Sequence, residues 1–155
     1  QWQVDEITPS LPNGTYFIRT MGAGNRSLDI EGNSTKDAAR MLLWDFHGRT
    51  NQQFNIRYMP ATGYYVITNL GSGKSVDVTG GSTAQGAQVI QWPLHSRMNQ
   101  QWSIQDNGSG SYWIIGAQSG LSLDVYGGNV GNNGRIITWG YHGRYNQQWS
   151  FTPVS

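Results

Sequence analysis

Three aspartates, Asp29, Asp77 and Asp124, each stand 15 residues before a tryptophan, Trp44, Trp92 and Trp139. Each tryptophan stands seven residues before an asparagine, Asn51, Asn99 and Asn146. The chain's three histidines, His47, His95 and His142, fall between tryptophan and asparagine, and a glutamine follows each asparagine: Gln52, Gln100 and Gln147. Such a set suits recognition of a neutral, hydroxyl-bearing ring. An ionised carboxylate only accepts, so its two oxygens take hydrogens from two neighbouring hydroxyls in charge-assisted bonds. An amide donates and accepts, matching the dual character of a hydroxyl. An indole offers a flat apolar floor, contributing about 1–2 kcal/mol through area removed from water.

Each residue also has a plainer reading. Asp before Gly stabilises turns and Asn caps loops. The tryptophans end the runs MLLW, VIQW and IITW, apolar on both faces, so core burial competes with a ligand-facing role. The histidines can contact ligand, support the aspartate or simply occupy a loop. Arg49, Arg97 and Arg144, two residues before each asparagine, read as solvated loop cations that can reach a second or a negatively charged sugar such as sialic acid. Catalysis would need one asymmetric constellation, whereas these residues come as three near-copies with no nucleophile, base and orienter among them. The one nearby carboxylate pair, Asp29 with Glu31, has no counterpart, since Thr79 and Tyr126 replace Glu31 in the other copies. The expectation is a binding protein with no catalytic residue and no cofactor.

Bulk composition agrees. Charged residues are 12% of the 155, net charge is +1, and 12 Asn with 13 Gln outnumber the 19 charged side chains, which argues against nucleic acid or an anionic membrane as partner. The longest apolar runs, MLLW and YWII, are far too short to span a bilayer, so no membrane insertion is expected and the protein reads as soluble. There is no cysteine, hence no disulfide framework. Four sequons, at Asn13, Asn25, Asn33 and Asn107, point weakly to secretion, and localisation stays open.

The elements that must position these residues recur with a period of about 47 residues. Residues 1–155 read as a single domain: an extension over 1–13, then modules at about 14–60, 61–109 and 110–155. In the third module the runs YWIIGAQ, LSLDVY, RIITWGY and QWSFTP, separated by Gly- and Asn-rich links, predict four short strands. The helical pattern TKDAARMLL at 35–43 has Gly-rich equivalents in the other modules, so that segment is assigned to loop and strand. The fold class is all-β, with twelve strands in three equivalent groups of four. Closure about a pseudo-threefold axis would leave no long apolar edge exposed.

The Q-x-W string ending two modules (Gln100 and Trp102, Gln147 and Trp149, with Gln52 and Phe54 as the variant) resembles the ricin B-chain-like lectin family, as does the LDV-GG run at Leu123, Asp124, Val125, Gly127 and Gly128. The resemblance spans Gly14 to the C-terminus in triplicate. It implies a β-trefoil with one peripheral sugar site per module, so the histidines would lie apart and form no metal site. It also implies that the glutamine holds the aspartate, and that galactose- or N-acetylgalactosamine-containing glycans are the partners. Trp102, Trp149 and Phe54 would fill the shared core. Site one departs most from the pattern, with Gly32 and Asn33 in place of GG and Phe54 in place of Trp. A xylan-binding module and a trefoil interaction or inhibitor protein are the alternatives. The N-terminal extension would pack across the barrel or join two protomers into a homodimer.

Overall fold

The computed structural model describes residues 11–155, so most of the expected N-terminal packing or dimer-forming segment lies outside the described residues. Twelve strands follow one another, β1 Gly14–Thr20, β2 Arg26–Ile30, β3 Met41–Asp45, β4 Phe54–Met59, β5 Tyr64–Asn69, β6 Ser75–Val78, β7 Ala87–Trp92, β8 Gln101–Asp106, β9 Tyr112–Gly116, β10 Ser122–Val125, β11 Ile136–Trp139 and β12 Trp149–Pro153. Single 3-10 turns are the only helical elements among the described residues. The 35–43 segment is loop and strand, and Ala38 takes a left-handed φ of 66° that no helix would accept.

Six strands close on themselves. β1 pairs β4, β4 pairs β5, β5 pairs β8, β8 pairs β9, β9 pairs β12 and β12 returns to β1, all antiparallel. Closure leaves the barrel without an edge strand. The remaining strands form three hairpins, β2–β3, β6–β7 and β10–β11, that cap one end. Their inner edges meet through β7 with β11 and through bridges from Arg40 to Ile90 and Leu42 to Arg135. This is the β-trefoil, built from three pseudo-equivalent four-stranded modules.

Core residues come in threes. Phe54, Trp102 and Trp149 are all fully buried, and Ile18, Ile67 and Ile114 repeat one position of the barrel wall. Burying each such aromatic contributes about 1.5–3 kcal/mol. The Trp102 indole N–H donates to the Val76 carbonyl at 3.2 Å and that of Trp149 to the Leu123 carbonyl at 3.1 Å, so their polar atoms are satisfied. Phe54 fills the third place without a donor to satisfy. Leu11, buried at the other end, exchanges bonds with the Tyr65 hydroxyl.

Candidate functional site

Ser27 faces Trp44, Ser75 faces Trp92 and Ser122 faces Trp139, with the serines buried and the indoles 39–41% exposed. The tryptophans are therefore rim residues, and the core reading of them does not apply. Two residues further along each ladder Asp29, Asp77 and Asp124 face Leu42, Ile90 and Ile137. The strand carries the aspartate to the floor of a cleft whose walls include the tryptophan, histidine, arginine and asparagine of its own module. Cavity volumes are about 370 Å³ at Asp29, 640 Å³ at Asp77 and 500 Å³ at Asp124, within the range of small-ligand sites.

Each carboxylate is recessed, with only 3–4% of the residue exposed. Asn51, Asn99 and Asn146 donate from Nδ2 to Oδ1 at 3.2, 3.1 and 3.2 Å. Gln52, Gln100 and Gln147 donate from Nε2 to Oδ2 at 2.8, 2.7 and 2.6 Å. Those bonds occupy one lone-pair site on each oxygen. Burial raises the pKa of all three aspartates, while the glutamine and asparagine hydrogens and the neighbouring histidine pull it back.

The glutamines are fully buried behind the carboxylates and form no part of the cleft walls. They end the 3-10 turns Thr50–Gln52, Met98–Gln100 and Tyr145–Gln147, just ahead of the strands that carry Phe54, Trp102 and Trp149. Each uses all its hydrogen-bonding capacity. Gln147 Oε1 accepts the backbone N–H groups of His142 and Gly143 at 2.9 and 3.3 Å, and its Nε2 also donates to the Gly140 carbonyl. One amide thus ties the histidine loop to the aspartate, and Gln52 and Gln100 do the same.

The histidines are oriented by their own loops. Nδ1 of His47, His95 and His142 accepts the backbone N–H of Arg49, Arg97 and Arg144, each at 3.0 Å. That bond leaves the hydrogen of the neutral ring on Nε2, which lies 3.5, 3.7 and 3.4 Å from the aspartate Oδ2. Each histidine serves its own cleft, and among the described residues no group of three His, Cys, Asp or Glu side chains is placed to hold a metal ion. The three arginine side chains form no ion pair among the described residues.

Two features of the clefts were not visible in the repeat. Asn133 lines the Asp29 cleft and Ala38 the Asp77 cleft, each from another module's hairpin. Ala38, Gly86 and Asn133 occupy equivalent places, all with left-handed φ, and their N–H groups donate to Gln91, Thr138 and Leu43 of the adjoining hairpin. The only sequence signal is the interval: each stands nine residues after Asp29, Asp77 or Asp124. At site one, Asn33 holds the left-handed turn (φ 54°) that Gly81 and Gly128 form elsewhere, so the departure from GG leaves the turn intact.

A closed trefoil bearing three copies of a carboxylate, indole, imidazole and amide cleft defines a protein of the carbohydrate-binding class. The sequence model described as "Ricin-type beta-trefoil lectin domain-like" matches residues 1–92, 50–139 and 98–155, and the chain belongs to that family. Among solved structures, the designed threefold-symmetric protein ThreeFoil shares 34% identity at a TM-score of 0.86, over 91% of this chain and 99% of that one. An exo-β-1,3-galactanase from Clostridium thermocellum shares 30% identity at a TM-score of 0.86 over 91% of this chain, which spans 30% of the galactanase. The Rhizoctonia solani agglutinin has the same fold at a TM-score of 0.82 with 21% identity, over 96% of this chain and all of that one. No curated protein matches the sequence.

Proposed function

We propose that this chain is a metal-independent, non-enzymatic lectin that binds galactose- or N-acetylgalactosamine-containing glycans through up to three clefts. The observation that carries the reading is the near-identity of the polar set in all three modules, with matching bonds agreeing within about 0.2 Å between modules. In the proposed complex the carboxylate oxygens of each aspartate accept the 3- and 4-hydroxyls of the sugar. The histidine Nε2–H donates to one of them, and in the second and third clefts the asparagine Oδ1 accepts, whereas Asn51 Oδ1 is buried. An axial 4-hydroxyl leaves one ring face bare of hydroxyls, and that face lies on the indole. A carboxylate already held by two amides is placed to accept hydrogen bonds, not to shuttle protons or attack an anomeric carbon.

Each cleft alone binds weakly, with Kd on the order of 0.1–1 mM. Engagement of several clefts on a glycan-coated surface raises avidity by roughly 10²–10⁴, and agglutination follows. Isothermal titration with galactose in chelator tests the assignment. Binding that survives chelation and disappears in the triple Asp29→Ala, Asp77→Ala, Asp124→Ala variant supports it; undiminished glycan binding by that variant rules it out. A second reading, an attached carbohydrate-binding module of a larger enzyme, draws on the 30% identity to part of a galactanase. Preference for xylo-oligosaccharides over lactose would select its xylan-binding form.

A further inference from the structure

Two residues beyond each carboxylate, the chemistry changes from site to site. Glu31, Thr79 and Tyr126 occupy equivalent places, and each lines the mouth of its own cleft. Their cross-strand partners, Arg40, Gln88 and Arg135, change with them. Glu31 takes the Arg40 guanidinium in a two-pronged contact at 2.7 and 2.8 Å. Thr79 Oγ1 donates to the Gln88 carbonyl at 2.8 Å. Tyr126 donates its N–H to the Arg135 carbonyl at 2.8 Å, and the Arg135 guanidinium sits 5.0 Å from the centre of its ring. The neighbouring hairpin tip varies too: Asn133 stands at the first cleft, whereas at the third the equivalent residue is Gly86, where even an added Cβ would stay 3.7 Å from Trp139.

The first cleft is therefore the smallest, about 370 Å³, and its mouth carries a hydrated ion pair and an amide. The third, about 500 Å³, is flanked by two aromatic rings, Trp139 at 41% and Tyr126 at 53% exposure. We infer that the three sites are not equivalent: they share a pocket for one pyranose, and the Asp124 site alone adds a second aromatic surface, Tyr126, that docks the ring adjoining the one on Trp139. Tyr126 is then a specificity-determining residue, and the preferred ligand of this site is a galactosyl disaccharide. Glu31, already paired and hydrated, offers that second ring no apolar face. The inference rests on the galactoside reading of the shared pocket.

Side-chain N–H resonances of Trp44, Trp92 and Trp139, assigned individually, report the three clefts during titration with galactose, lactose and galactosyl-β-1,3-galactose. At Trp139 at least one disaccharide should bind about 3- to 10-fold tighter than galactose, the range expected for one partial aromatic contact. At Trp44 and Trp92 the ratio should stay near one. Tyr126→Ala should bring the Trp139 ratio to one with the galactose Kd held within about twofold. Glu31→Tyr, placed opposite Arg40 as Tyr126 is opposite Arg135, should raise the ratio at Trp44. Equal ratios at all three clefts of the unaltered protein overturn the inference, as does a Tyr126→Ala variant that loses galactose and disaccharide alike. No response to galactose at any cleft overturns the galactoside reading itself.

Discussion

At the residue scale the site turns on a carboxylate that is nearly buried yet must accept hydrogen bonds. Burial disfavours its charge and raises its pKa above the ordinary 3.8, with the glutamine and asparagine hydrogens limiting the rise. A raised folded-state pKa means that the folded protein holds these three protons more tightly than the unfolded chain. Their contribution to stability therefore improves as pH falls from the raised value towards 3.8, whereas acceptance from sugar hydroxyls is lost over the same window. Galactose binding followed by calorimetry should weaken on acidification while circular dichroism still shows the intact fold; coincident loss would contradict this. Gln147→Ala removes the amide that joins Asp124 to the His142 loop, strands two backbone N–H groups, and should cost about 2–4 kcal/mol in denaturant unfolding. It should also silence the Trp139 cleft and leave the other two responsive. Asp, Trp, His and Asn were legible because they recur at fixed intervals. That the glutamine also clamps the histidine loop was not, because those bonds depend on the path of a loop that spacing does not describe.

At the element scale the clefts depend on paired left-handed residues just after β2, β6 and β10. Gly127 has φ 62° with open space where a Cβ would point, so Gly127→Ala incurs backbone strain alone, about 1–2 kcal/mol, and shifts Tyr126. Asn33→Gly should change stability by only a few tenths of a kcal/mol, because asparagine already tolerates this conformation. Chemical denaturation of the two variants separates strain from lost contacts. The strand runs were readable from alternation and turn residues, and the segment 35–43 was correctly taken from helix by its Gly-rich equivalents. The face of Trp44, Trp92 and Trp139 was not readable, since MLLW, VIQW and IITW carry apolar residues on both faces. The folded hairpins leave these three indoles 39–41% exposed at the rim.

At the scale of the whole molecule, one core made by Phe54, Trp102 and Trp149 supports all three clefts. Trp102→Ala should cost about 3–5 kcal/mol and lower the midpoint of a single cooperative thermal transition. Separate transitions for separate modules would show that the core is not shared. The membership of that core was evident from Q-x-W and its Phe variant, because large apolar groups repeated at the start of a strand have nowhere else to go. The sequence by itself determined the period, the strands and the residue types of each site, since all three are written along the chain at fixed offsets. Only the tertiary structure decided how deeply the carboxylates sink, which way the indoles face and that Asn133 and Ala38 reach the clefts of other modules. Those outcomes rest on contacts such as the Leu43 N–H to the Gly134 carbonyl at 2.9 Å, between residues far apart in sequence. Such distant contacts leave no mark in local spacing, because they exist only once the barrel has closed and brought the three hairpins together.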